Sequence, residues 1–209
     1  LRSGSEERSK PADNSLYYQK GFTVSDKADA ITVRSIMDQF IKSESVKSRL
    51  KMIRERDRND WEKWLQVELE YFISQTDGIY VDREIEAFPD NRKLRERYNM
   101  YIDLAIRKKR TRLNAYIFLE LKCTRNVQTL INGFESDIHK INAIKKCSVD
   151  ARSFWCVGFH LNCSERSLTK IKNYVAEWDY GYHEVIKLCD CGDDLACGCT
   201  NNTIGFAVI

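Results

Sequence analysis

The chain has 209 residues, with 34 lysines and arginines against 31 aspartates and glutamates and a formal charge of +3. This length suits a single domain with a substantial core, and so even a balance excludes a protein held to a polyanion by its overall charge, leaving any nucleic-acid surface to a local patch. No apolar run reaches the ~18–20 residues that cross a bilayer and no basic-apolar-small leader opens the chain, so the expectation is an intracellular protein, cytoplasmic or nuclear, not secreted and with no membrane partner.

Residues 1–15, rich in Ser, Glu, Arg and Lys, read as a flexible lead, and 16–209 as one domain without internal repeats. A chain that opens on Leu1 and not on methionine is expected to be trimmed or part of a larger protein. Between Ala28 and about Leu50, Ile31, Val33, Ile36, Met37, Phe40 and Ile41 recur at helical spacing, which predicts one or two short amphipathic helices. A clearer helix is predicted from Asp60, its cap, to Ser74, with Trp61, Trp64, Leu65, Leu69, Phe72 and Ile73 as its stripe. At about 100° per residue Glu68 falls inside that stripe. Either it is a functional carboxylate or it pairs with a buried Arg or Lys.

Ile79 to Ala87 alternates as a strand, and Phe88-Pro89-Asp90-Asn91 is expected to end it in a turn. Tyr98 to Ile106 reads as a second strand, with Tyr98, Met100, Ile102, Leu104 and Ile106 on one face and Asn99, Tyr101, Asp103 and Ala105 on the other. Asp103 is the lone acid in it. A cationic loop from Arg107 to Arg112 leads back into Tyr116-Ile117-Phe118-Leu119-Glu120-Leu121-Lys122-Cys123, an apolar strand interrupted by one carboxylate and one ammonium. Period-2 alternation puts Phe118, Glu120 and Lys122 on one face and Ile117, Leu119 and Leu121 on the other. Charges in a central strand are costly unless a metal, a partner charge or a substrate compensates them, so the pair is a site candidate, the plainer alternative being a surface ion pair at a strand end.

A helix with Val127, Leu130, Ile131, Phe134, Ile138 and Ile141 on one side follows. Phe154–Leu161 reads as a strand, Ser164–Trp178 as a capped helix, and Tyr182–Leu188 and Ile204–Ile209 as closing strands. Interleaved helices and strands predict an α/β sandwich around a mixed sheet. Cys123, Cys147, Cys156 and Cys163, scattered singly, are expected to be free buried thiols and not a disulfide framework.

Side by side, the two strands can bring Asp103 and Glu120 to one place with Lys122 beside them, while the helix adds Glu68. Hard divalent cations take all-oxygen environments of this kind. The residues resemble the PD-(D/E)XK nuclease superfamily over roughly residues 60–161: an acid on one strand, Glu-x-Lys on the next, a helix with an inward Glu before and a helix after. The resemblance implies a restriction-endonuclease-like, three-layer α/β/α sandwich and Mg²⁺- or Mn²⁺-dependent cleavage of phosphodiester bonds, usually in DNA. Under it Asp103, Glu120, the Leu121 carbonyl and Glu68 match metal ligands, and Lys122 the catalytic lysine. Ile102 stands where many members have proline.

Gln128 stands where some members place a polar residue near the site, or is a solvated first-turn residue. Arg92, Lys93, Arg95 and Arg97, with Arg107, Lys108, Lys109, Arg110 and Arg112, are candidates for neutralising a nucleic-acid backbone, or are solvated loops. Cys189, Cys191, Cys197 and Cys199 on a hairpin at 189–199 form a candidate structural Zn²⁺ site, with thiols or an oxidised cross-strand pair as the alternative. The functional expectation is an endonuclease acting on DNA, the cleavage module of a restriction or defence system, with a homodimer as one compatible arrangement. The alternative is a non-catalytic nucleic-acid- or protein-binding domain of the same fold.

Overall fold

The computed structural model describes residues 24–57, 61–90, 99–111, 116–189, 191 and 202–209. Helices α1 (Val24–Lys42), α2 (Glu44–Glu55) and α3 (Glu62–Ser74) precede strands β1 (Ile79–Pro89), β2 (Met100–Lys108) and β3 (Tyr116–Thr124). Then come α4 (Val127–Asn142), β4 (Ile144–Cys147), β5 (Ala151–His160), α5 (Glu165–Val175), β6 (Tyr182–Lys187) and β7 (Thr203–Val208). Of the one or two helices expected between Ala28 and about Leu50 the structure has two, divided at Ser43, whose extended backbone cannot continue α1. The expected cap Asp60 lies outside the described residues. Among the described residues no helix is long and apolar enough to cross a membrane.

One mixed sheet takes all seven strands in the order β4-β1-β2-β3-β5-β7-β6. Among the described residues only β3 and β5 pair in parallel, which demands a crossover, supplied by α4 and by β4 at the far edge of the sheet. The short strand β4 was not anticipated. It pairs with Ala87, Phe88 and Pro89, so Phe88-Pro89 closes β1 and is not the expected turn. Proline is tolerated there because the pairing is irregular between Phe88 and Pro89, beside an edge strand.

The alternation of β3 is as expected. Ile117, Leu119 and Leu121 join α1, α2 and α3 in the larger apolar core. Phe118 lies in a cluster on the other face, where α4 and α5 pack over Cys156, Ala207 and Ile209. The arrangement is an α/β sandwich with helices on both sheet faces. Alternation in β2, however, breaks at Asp103: Leu104 and Ile106 belong to the α1–α3 side and Ile102 to the other. Opposite Asp103 in the register, Glu84 has φ 54°. A non-glycine residue in that region twists the strand sharply, and Ile79 and Val81 accordingly pack on one face and Ile85 on the other.

At the β5–β7–β6 edge, His160 Nε2 lies 3.0 Å from His183 Nε2, while His160 Nδ1 is 2.9 Å from the Asn162 carbonyl. The ring of His160 occupies the space over Gly205, where a Cβ would come within 2.0 Å of it. Burial first, and for His183 also its partner ring, lowers both imidazoles to about 4. Both are neutral when folded, and the unfolded chain binds the protons first, so this pair's contribution to stability is lost as pH falls from about 6.5 towards 4. We expect the urea midpoint to fall across that window, and to fall less steeply in His183→Gln. Equal slopes would show that the pair carries no such linkage.

Candidate active site at the fork between two strands

β2 and β3 pair through Ile106↔Ile117, Ala105↔Phe118 and Leu104↔Leu119. Beyond Leu104 they separate, and the edge of β3 that faces the gap keeps backbone groups that a ladder would have satisfied. Carboxylates satisfy them instead. Leu121 N–H donates to Asp103 Oδ2 at 2.7 Å, and Cys123 N–H donates to Glu62 Oε2 at 3.3 Å. Gln66 Nε2 donates to the other oxygen of Asp103 at 2.5 Å. Asp103 is thereby held between β3 and α3.

Lys122 reaches the same gap. Its Nζ donates to the Leu121 carbonyl at 3.0 Å and stands 3.7 Å from Glu62 Oε1 and 3.3 Å from Asp137 Oδ2. Its aliphatic stem runs over Gly133 of α4, where an added Cβ would sit 3.1 Å from Cδ. Burial opposes the ammonium, but Asp137, Glu62, Asp103 and Glu120 outweigh it and hold Lys122 above the ordinary lysine range. It is a cation at neutral pH, suited to stabilising negative charge and not to accepting a proton.

Glu120, only 1% exposed, accepts from Lys140 Nζ through both oxygens at 2.6 Å. Burial first and Asp103 second push its carboxyl up to about 8, against the opposing pull of Lys140. Burial likewise raises Asp137. The cluster therefore gathers the acids Asp103, Glu120, Asp137 and Glu62 around the ammonium groups of Lys122 and Lys140. With all of them ionised it carries two more negative than positive charges.

Sequence reasoning singled out Asp103, Glu120 and Lys122, and the fold puts all three within electrostatic reach of one another, with Glu120 held by Lys140 of α4. Glu68 does not join them: it pairs with Arg49 of α2 at 2.8 Å. The buried face of α3 is Leu65, Gln66, Leu69 and Ile73, and at about 100° per residue Glu62 lies within about 60° of each of these, whereas Glu68 is about 120° from Glu62. Trp61, outside the helix as its N-cap, and the half-buried Trp64 had pulled the expected stripe to the wrong side. Gln128 turns away from the acids, its Nε2 donating to Asn132 at 2.7 Å and its Oε1 accepting from Lys170. Asp137 and Lys140 were missed, although Asp137 falls at nearly the helical angle of buried Leu130.

Arg107 is committed to the hairpin, its guanidinium over the rings of Tyr80 and Tyr116 and its Nη1 donating to the Thr111 carbonyl at 2.9 Å. Lys108, Lys109 and Arg110 are exposed at the hairpin tip, where five residues of strand put Lys108 roughly 17 Å from Asp103. Arg112 and the run from Arg92 to Arg97 lie outside the described residues, as do Cys197 and Cys199. Of the cysteine-rich tail, Cys189 Sγ accepts from Asn202 Nδ2 at 3.3 Å. Cys123, Cys147, Cys156 and Cys163 are free thiols, and burial raises Cys123, Cys156 and Cys163 above the ordinary thiol range.

A divalent cation is what the resemblance implies, and the donor chemistry of the fork fits one. Asp103, Glu120 and the Leu121 carbonyl are hard oxygen donors, the local charge is in acid excess, and Glu120 is buried in a state that added positive charge would relieve. Among the described residues no three His, Cys, Asp or Glu side chains are grouped to hold an ion by themselves. Mg²⁺ needs only one or two carboxylates, the rest coming from carbonyls, water and substrate. No known protein family, curated protein or solved structure matches the chain.

The two acids singled out on different elements should behave differently on removal. Asp103→Ala strands the buried Leu121 N–H and Gln66 amide, with an expected loss of about 1–3 kcal/mol. Glu68→Gln breaks one half-exposed ion pair, with an expected loss below about 1 kcal/mol. Urea unfolding of both variants checks the order, and a larger loss for Glu68→Gln would contradict this account of the fork.

Proposed function

We propose that the chain is a divalent-metal-dependent phosphodiesterase of the restriction-endonuclease-like kind, acting on nucleic acid, with DNA as the leading substrate. The observation that carries this reading is that Asp103 and Lys122 both meet the Leu121 backbone at the β2/β3 fork, with Glu120 within electrostatic reach of each. Asp103, Glu120 and that carbonyl would hold the ion. When bound, a divalent cation supplies charge that offsets the developing negative charge on a phosphodiester and makes water more acidic. Lys122, held as an ammonium, would stabilise the same developing charge. Gln66 and the Leu121 N–H fix the carboxylate of Asp103, so its orientation is set before substrate arrives.

One observation favours the other reading, a binding domain of the same fold without catalysis: Lys140 already neutralises Glu120 through both oxygens. A single assay separates the two. Plasmid and single-stranded DNA are incubated with the protein and Mg²⁺ or Mn²⁺, with and without EDTA. Cleavage is expected only with metal, reduced about 10²–10³-fold by Lys122→Ala, as for loss of a charge-stabilising donor in other active sites, and abolished by Asp103→Asn. Retention of DNA without cleavage under either metal would support the binding domain. Metal-dependent cleavage that survives both substitutions would place the active site elsewhere.

A further inference from the structure

Lys140 stands in the last turn of α4 and sends its side chain back to Glu120. Its ammonium binds both carboxylate oxygens at once, so a second cation approaching Glu120 meets a positive charge already seated on that carboxylate. Asp137, one turn earlier on the same helix, is the other acid drawn to it. Lys140 thus meets the charge of Glu120 of β3 and of Asp137 on its own helix, and Glu120 in turn feels the charge of Asp103.

A lysine side chain is a flexible stem with a compact charge at its end. It can leave a carboxylate without any backbone movement, and Asp137 is present to receive it. The geometry points to Lys140 as a tethered counter-ion: it holds Glu120 in the metal-free protein and gives it up to the incoming divalent ion, so that metal loading is an exchange of cations. This rests on the metal-dependent reading above. Two consequences follow. Glu120 is never left buried and ionised without a partner, which would be strongly destabilising. Metal affinity is also weaker than the donor set alone would give, because the ion has to displace an ion pair already formed.

The test uses the full chain and Mn²⁺ titrations followed by electron paramagnetic resonance. Lys140→Met and Lys140→Gln, the second retaining a hydrogen-bond donor for Glu120, are expected to bind Mn²⁺ roughly tenfold more tightly than the wild type, a difference of about 1.4 kcal/mol. Stoichiometry should be unchanged, and Asp103→Asn should bind weakly. A second measurement needs no variant to fold well: the ¹⁵N-labelled ammonium of Lys140, slow to exchange while Glu120 holds it, should lose that protection when Mg²⁺ is added to the wild type. Equal or weaker Mn²⁺ binding by folded Lys140 variants, or an ammonium signal unmoved by saturating Mg²⁺, overturns the exchange and leaves the metal reading standing. Failure of every form, wild type included, to bind Mn²⁺ overturns both.

Discussion

The hydrogen bond from the Leu121 amide to the Asp103 carboxylate marks the point where a β-ladder stops and a site begins. Were β2 to remain paired with β3, the edge of Leu121 and Cys123 would be filled by backbone carbonyls and no acid would enter it. Because the strands part after Leu104↔Leu119, that edge needs other acceptors, and Asp103 and Glu62 supply them. At the same place Lys122 meets Glu62 from one helical layer and Asp137 from the other.

Electrostatics then determines what such a junction can do. Carboxylates outnumber the ammonium groups among them, and the balance is kept by raised protonation at Glu120 and by Lys140. A purely structural network of this composition would be poorly designed, since replacing it with apolar residues of similar volume is often neutral or stabilising. Under the proposed function, its chemistry is that of a place prepared for positive charge. The pull of four acids on Lys122 fixes that residue as a cation, which in the proposed reaction narrows its role to stabilising charge.

How far the sequence disclosed this depended on whether a residue's position followed from a simple period. Phe118, Glu120 and Lys122 were legible because a straight strand buried on both faces alternates without exception. Asp103 stood out as the lone acid of its strand, but the change of faces on either side of it was hidden, since it arises from Glu84 adopting φ 54° where glycine would have announced the twist. On α3, two tryptophans outweighed the leucines in locating the stripe, so Glu68 was preferred over Glu62, and Gln66, an uncharged residue on the true buried face, drew no notice. On α4, Asp137 carried the same kind of signal as Glu68, an acid at the angle of buried leucines, and in its case the signal was sound. Lys140 was beyond reach from sequence. A lysine in a last helical turn is ordinary, and only the placement of Glu120 beneath it makes it significant.

In the proposed function the parting of β2 from β3 builds a seat for one divalent cation from Asp103, Glu120 and the Leu121 carbonyl. Anomalous diffraction from a crystal soaked in Mn²⁺ addresses it directly. The account predicts a single strong anomalous peak in the fork, within coordination distance of all three donors. A peak elsewhere in the molecule with the fork empty, or Asp103 and Glu120 still bonded as described while Mn²⁺ saturates another site, would contradict it.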